Sequence, residues 1–141
     1  MPRLMDAKEL YQKDIIDLSR RSRLRLPIEN PGYSARVDNP LCGDRVILDF
    51  NLENKLIKDV GLRARGCALC EAAAEVLAVQ AVGRNSDDII DTYEDLKAYL
   101  LGTVAIPKWS SLKVFSPVKP IVSRHECVLL PFDAAKKAFS M

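Results

Sequence analysis

The side chains of this sequence with the clearest capacity for chemistry are its four cysteines and the charged residues near them. In Cys42-Gly43-Asp44, residues two apart in an extended chain point the same way, so thiolate and carboxylate could converge on one metal ion. Gly43 would let the backbone bend toward that ion. Cys67 follows Gly66 at the predicted start of a helix, where unpaired N–H groups and the helix dipole favour a thiolate.

A third cysteine, Cys127, lies near the end of the chain, and Arg124 precedes it by three residues. On a helix these two share a face, and the positive charge would favour the thiolate. With Cys42, Asp44 and Cys67, it makes a set of three sulfurs and one oxygen, which suits zinc or an iron–sulfur cluster. A hard oxygen ligand holds a soft cluster less firmly than a fourth thiolate, so such a site could release its cargo.

Cysteine spacing alone does not decide the matter, because free cysteines are often buried and inert. Cys70 is the best candidate for such a structural residue. The pair Cys67 and Cys70 has C-x-x-C spacing, but a thioredoxin-like site needs a βαβ surround, and a hairpin precedes this pair. His125 is the single histidine, which excludes a two-histidine zinc finger, and we interpret it as a surface residue rather than a ligand.

The composition fits an ordinary globular protein, and residues 1–141 are expected to form one domain. Of 141 residues, 48% are hydrophobic and 28% charged, and the formal charge of +2 gives no reason to invoke nucleic acid. The basic run Arg20–Arg25 fits a solvated helix end, with a docking patch for an acidic partner as the alternative. No segment has the apolar length of a secretory signal or membrane span, so we expect a cytoplasmic protein in which cysteines bind metal rather than form disulfides.

Apolar periodicity and turn residues predict a helix, two or three strands and then several helices. The predicted elements are a helix over 5–22, a short strand around Ser34–Val37, strands Val46–Phe50 and Leu56–Arg65, a helix from Cys67 to near Gly83, a helix from Ser86 or Asp87 to Leu101, short helical pieces over 106–120, and helices Arg124–Leu130 and Phe132–Phe139 separated at Pro131. This order predicts an α+β fold, a small antiparallel sheet of about three strands with helices packed on one face.

Two segments carry a family resemblance: DNPLCGDRV at 38–46 and GCALCEAAAEVLAVQAVG at 66–83. With a third cysteine near the carboxyl end, they resemble the IscU/NifU-N-terminal/SufU family of iron–sulfur cluster assembly proteins. The long interval between Cys67 and Cys127, and the R-x-x-C pattern that begins at Arg124, are similar to the SufU-like branch.

The resemblance implies an IscU/SufU-like fold and a ligand set of Cys42, Asp44, Cys67 and Cys127 for a zinc ion or a labile 2Fe-2S or 4Fe-4S cluster. It also implies that Cys42 accepts sulfur from a SufS-like cysteine desulfurase and that Arg124 serves this exchange. Apo iron–sulfur proteins would be the recipients, without nucleic acid or membrane as partners. A cluster scaffold and a zinc-dependent sulfurtransferase that activates the desulfurase both remain open. A purely structural zinc site is disfavoured, because sealed sites usually have only Cys and His ligands.

Overall fold

The computed structural model describes residues 7–41 and 43–140, with side chains from residue 12 onward. Three strands follow the first helix, and the other helices follow the strands. The elements are α1 Ala7–Arg23, β1 Tyr33–Asn39, β2 Asp44–Glu53, β3 Leu56–Arg65, α2 Ala68–Ala81, α3 Ser86–Leu100, 3-10 helices Ser110–Val118 and Val122–Arg124, and α4 His125–Phe139. Within the described residues, no helix is long and apolar enough to cross a membrane.

The three strands form one antiparallel sheet in the order β1-β2-β3. Val46, Leu48 and Phe50 alternate along β2 and are completely buried on one face. Helix α4 packs against β1 and β2 on this face, and α2 packs against β3. The predicted α+β fold, with helices packed on one face of a small antiparallel sheet, is confirmed.

Helix α2 lies at the centre of the molecule, between α1, α4 and the sheet. Its run of three alanines, Ala72 to Ala74, is completely buried, because methyl side chains let neighbouring elements approach closely. Cys70 is also completely buried in this core, which agrees with the structural role expected for it. The packing on all sides therefore holds the first residues of α2 in a fixed position.

Several element boundaries differ from those expected. Strand β1 is longer than predicted, because each of its residues pairs with β2. Helix α3 begins at Ser86, as predicted, and ends at Leu100, one residue earlier than predicted. Asn85 caps it, since Asn85 Oδ1 accepts a hydrogen bond from the Asp88 N–H at 2.9 Å.

The predicted break at Pro131 is wrong. Helix α4 runs continuously from His125 to Phe139 with Pro131 inside it. A proline costs a helix one hydrogen bond and crowds the preceding turn, but it does not end a helix that tertiary packing holds in place. Here Pro131 is buried beside Leu130 and Phe132, where α4 lies between α3 and the sheet.

The basic end of α1 does not behave as a simple solvated helix end. The Arg23 guanidinium bonds both carboxylate oxygens of Glu71, with its Nε 2.9 Å from Oε2. Arg25 bonds both oxygens of Glu75, at 2.6 and 2.9 Å. Because these glutamates belong to α2 and are almost fully buried, the pairs fasten α1 to α2. The solvated interpretation holds for Arg20 and Arg21, which are exposed.

Candidate metal centre

Three of the four predicted ligands meet at one end of the molecule. Asp44 is the first residue of β2, Cys67 immediately precedes α2, and Cys127 lies in the first turn of α4. One ligand atom from each lies within 4.8 Å of the other two. The fourth predicted ligand, Cys42, lies outside the described residues. Antiparallel pairing of β2 with β3 brings the start of one strand beside the end of the other, which joins Asp44 to Cys67.

The Asp44 carboxylate is only 1% exposed. Its Oδ1 accepts a hydrogen bond from the Cys67 N–H at 2.9 Å. A Cβ on Gly66 would lie 1.9 Å from the same oxygen, so no larger residue fits here without displacing the carboxylate. The sequence pattern Gly-Cys therefore has a steric basis, which we did not predict from the sequence. A glycine directly before a candidate ligand was the available signal.

Cys67 caps the amino terminus of α2, as its predicted position at a helix start requires. Its Sγ accepts a hydrogen bond from the Cys70 N–H at 3.5 Å, and backbone N–H groups at a helix start stabilise negative charge on sulfur. Cys67 Sγ lies 3.7 Å from Asp44 Oδ2. In a tetrahedral zinc site, with Zn–S about 2.3 Å and Zn–O about 2.1 Å, the two ligand atoms would be about 3.6 Å apart. This spacing and donor chemistry fit a single zinc ion.

Cys127 contributes the third ligand atom from a buried position, where it is 3% exposed. Two residues just before Cys127, Arg124 and His125, lie in different environments: Arg124 is exposed and His125 is buried. Arg124 ends the short 3-10 helix before α4, and its side chain is exposed beside the centre's carboxyl-terminal ligand. The side chain of Arg124 is therefore open to solvent, whereas that of Cys127 is buried.

His125 is not the surface residue that we expected. It is 6% exposed, and its Nε2 lies 3.0 Å from the Lys119 carbonyl oxygen and 3.2 Å from that of Val118. These contacts join the start of α4 to the end of the longer 3-10 helix. His125 is absent from the group of converging ligand atoms among the described residues.

The backbone before Asp44 turns sharply instead of being extended as predicted. The Gly43 N–H donates to the Asn39 carbonyl oxygen at 2.9 Å, and Gly43 has a φ of +74°. That conformation favours glycine, because a Cβ is strained there. The expectation that Gly43 lets the chain bend is confirmed, and the expectation of an extended backbone at Gly43 is wrong.

A cavity of about 400 Å³ opens beside Asp44 on the sheet face away from the helices. Arg36, Arg45 and Arg65 contribute to its walls. Asp38 accepts hydrogen bonds from Arg45 at 2.7 Å and Arg36 at 3.2 Å, and the bond from Arg45, supported by Arg36, lowers the pKa of Asp38. The walls of this cavity are therefore mainly basic.

Comparison with known proteins gives one family. The model of the NifU-like N terminal domain matches residues 10–112. An iron–sulfur cluster assembly scaffold protein IscU from Thermotoga maritima is 22% identical over 132 residues, which are 93% of each chain. A zinc-dependent sulfurtransferase SufU from Bacillus subtilis is 26% identical over 130 residues, 91% of this chain and 88% of that protein.

Solved structures give the same grouping. The amino-terminal part of a nitrogen-fixing NifU-like protein from Brucella abortus superimposes with a TM-score of 0.84 and 25% identity over 92% of both chains. A SUF-system iron–sulfur cluster assembly scaffold protein from Fervidobacterium islandicum has a TM-score of 0.81 and 25% identity, covering 94% of this chain and 98% of that one.

Proposed function

Because the chain belongs to the NifU-like N-terminal domain family, homologous to the IscU and SufU proteins, we propose that it is an iron–sulfur cluster assembly protein of the SUF type. It accepts sulfur from a cysteine desulfurase and binds a metal or nascent cluster through Cys42, Asp44, Cys67 and Cys127. The observation that carries this proposal is the convergence of Asp44, Cys67 and Cys127 within 4.8 Å.

Sulfur acceptance is a thiol exchange at Cys42. Its thiolate attacks the terminal sulfur of the desulfurase persulfide, a new S–S bond forms at Cys42, and the enzyme cysteine leaves as a thiolate. No net oxidation occurs, and the terminal sulfur keeps its proton. Arg124 is exposed at the start of α4, and a guanidinium group can stabilise an anionic sulfur that leaves. We propose this exchange role for Arg124 on that basis.

Two backbone N–H groups, those of Cys67 and Cys70, orient and stabilise the anionic groups that would bind a cation. The Cys67 N–H fixes one oxygen of Asp44 and leaves the other oxygen on the sulfur side, 3.7 Å from Cys67 Sγ. The Cys70 N–H stabilises charge on Cys67 Sγ. When bound, zinc supplies the positive charge that keeps such thiols deprotonated. Release of Cys42 from this set would free a nucleophilic thiolate.

The alternative is a zinc-dependent sulfurtransferase that activates the desulfurase without itself being a scaffold. The close spacing of the three ligand atoms supports this second candidate. Ligands on opposite irons of a cluster must span both metal atoms, whereas these atoms are near enough to share one ion. A scaffold would need this centre to widen as the cluster grows.

Two measurements on protein purified without oxygen separate the candidates. The sulfurtransferase predicts about one zinc per chain, whereas the scaffold predicts iron with acid-labile sulfide. A desulfurase assay follows, with Cys42→Ala as the test variant and Cys70→Ala as the control. Stimulation that depends on Cys42 supports sulfur acceptance. Stable cluster transfer to an apoprotein with no stimulation would reject the sulfurtransferase, and neither activity would reject the whole proposal.

The scaffold candidate makes one further prediction at Asp44. If the oxygen ligand weakens the hold on a cluster, Asp44→Ala should lengthen the lifetime of a reconstituted cluster, followed by its visible absorbance. An unchanged or shorter lifetime would contradict the idea that Asp44 promotes release.

A further inference from the structure

A second cavity, away from the ligand atoms of the metal centre, lies between the end of α1 and the end of β3. Its volume is about 130 Å³, enough for several water molecules. Four arginines contribute to its walls, together with one serine and two apolar residues: Ser22, Arg23, Arg25, Leu26, Arg63, Ala64 and Arg65. Of the predicted ligands that the structure describes, Asp44, Cys67 and Cys127, none lines it.

The fold forces these arginines together. The Leu62 N–H donates to the Leu26 carbonyl oxygen at 3.2 Å, which holds the chain after α1 against β3. A Cβ on Gly61 would lie 2.5 Å from the Ile28 nitrogen, so glycine permits this close crossing. Arg63 and Arg65 are two residues apart on the strand and project from the same face. They therefore lie opposite the arginines at the end of α1.

The charges in this corner do not balance. Glu71 and Glu75 neutralise Arg23 and Arg25, and each of these ion pairs uses the Nε and Nη2 atoms of its arginine. The Nη1 atoms take no part in these pairs.

Arg63 and Arg65 are exposed, and none of the ion pairs found among the described residues includes either of them. Four guanidinium groups against two carboxylates leave two positive charges beside one small cavity. Empty, such a cluster repels itself, and an anion would relieve the repulsion.

Ser22 gives an independent indication of a missing partner. The residue is 2% exposed and lies on the wall of this cavity. Its Oγ is buried and has no hydrogen-bond partner among the described residues. Buried hydroxyl groups are normally satisfied, so an unpartnered one needs an explanation. A ligand oxygen in the cavity would provide the acceptor.

We propose that this cavity binds the phosphate group of free phosphate or of a phosphate monoester. Guanidinium groups match phosphate oxygens in bidentate geometry, and a dianion balances the two excess charges. Arg65 also lines the cavity beside Asp44, and it precedes Cys67 by two residues. Occupancy of the phosphate site would thus hold β3 where it leads into the metal centre. The inference is independent of the proposed role in sulfur transfer.

The test is titration of the zinc-loaded protein with inorganic phosphate, by calorimetry and by thermal unfolding at constant ionic strength against chloride. Phosphate should bind saturably and raise the Tm. The double variant Arg63→Gln/Arg65→Gln should weaken binding by about tenfold or more, because two charged donors are lost. Ser22→Ala should weaken it by a smaller factor, about threefold to tenfold, because one neutral donor is lost.

The control is Arg20→Gln/Lys97→Gln, which removes the same charge from exposed positions outside this cavity and outside the cavity beside Asp44. It should leave phosphate affinity within about twofold of the parent protein, because charges at a distance are screened. Equal weakening in both double variants would overturn the site, since net charge alone would explain binding. Absence of saturable phosphate binding would overturn it as well.

A second series identifies the source of the phosphate group. Tighter binding of glycerol 3-phosphate than of inorganic phosphate would support a monoester, and equal binding would support free phosphate. A glutamate-rich peptide that binds while phosphate does not would overturn the proposal and indicate an acidic protein instead. Zinc content, measured on the same samples, should be equal in all variants, so failure of this inference is distinguishable from failure of the metal centre.

Discussion

Two buried carboxylate sites flank the start of α2, and their partners differ. Asp44, 1% exposed, receives a backbone N–H and lies among two cysteine thiols. Glu71 and Glu75, 2% and 3% exposed, pair with Arg23, the last residue of α1, and with Arg25 just after it. The arginines neutralise the two glutamates, so these carboxylates have no charge left for a metal ion to compensate. A carboxylate gathered with thiols provides the donor set for a metal cation. A buried carboxylate thus joins two helices in one place and contributes to a candidate metal centre in the other.

The largest expected effect is a loss of zinc affinity at the candidate metal centre. Cys67→Ser should lower zinc affinity by about 100-fold or more, because a serine hydroxyl does not become an anionic soft ligand at neutral pH. Competition with a chromophoric chelator measures the change. Cys70→Ala is the matched control, since Cys70 is buried in the core on the same helix. Equal zinc affinity in Cys67→Ser and the parent protein would contradict the assignment of Cys67 as a ligand.

The second prediction concerns the stability that the Arg25–Glu75 pair contributes. Arg25→Gln leaves the Glu75 charge buried without its guanidinium, and should lower the free energy of unfolding by about 2 kcal/mol. This figure lies below that of a fully buried pair, because Arg25 is about a third exposed (31%). Urea unfolding in phosphate-free buffer measures it.

The double variant Arg25→Gln/Glu75→Gln should recover part of this loss, because the stranded charge is removed as well. A double variant less stable than Arg25→Gln would show that the carboxylate is favourable even without its arginine. Zinc affinity should be nearly unchanged in both variants, which separates the two carboxylate sites.

A third, smaller effect tests whether Gly66 positions the Asp44 carboxylate in the metal centre. Gly66→Ala keeps every predicted ligand but places a Cβ where the Asp44 carboxylate lies, so zinc affinity should fall by about tenfold. Gly32→Ala is the control, because its Cβ would meet its nearest neighbour at 3.5 Å, an ordinary contact. If Gly66→Ala binds zinc like the parent protein, the packing of Gly66 against Asp44 does not position the ligand.

The smallest effect comes from a partly exposed carboxylate. Burial raises the pKa of Asp88, but hydrogen bonds and ion pairs with Lys108 and Arg84 outweigh burial and hold it below the ordinary value. Since the folded-state pKa is lowered, this stabilisation is present above the unfolded pKa of about 4 and is lost as pH falls through the folded value.

Asp88→Asn should therefore cost less than about 1 kcal/mol at pH 7 and almost nothing near pH 2. Urea unfolding at the two pH values measures the difference. A cost that is the same at both would show that charge pairing at Asp88 does not contribute to stability.

Much of the fold could be predicted from the sequence, because local patterns decide it. The alternation Val46, Leu48, Phe50 predicted the buried face of β2, and Cys67 was correctly placed at a helix start. Pro131 was misjudged, because packing around α4 outweighs the local cost of a proline.

The pairing of Arg25 with Glu75 could not be predicted. The two residues lie 50 positions apart, and nothing local to either specifies the other. The same holds for the contact between Gly66 and Asp44, which depends on how β2 and β3 align.

The sequence by itself supplied four candidate ligands, Cys42, Asp44, Cys67 and Cys127, through their residue types and through the family resemblance of the segments that hold them. Only the tertiary structure decided that Asp44, Cys67 and Cys127 meet and that His125 contacts backbone carbonyls. It also decided that Arg23 and Arg25 pair with buried glutamates, whereas Arg63 and Arg65 of β3 line the same small cavity. Residue type and local spacing act over a few residues. Convergence and charge balance depend on contacts between segments far apart in the chain, which exist only once helices and sheet have packed.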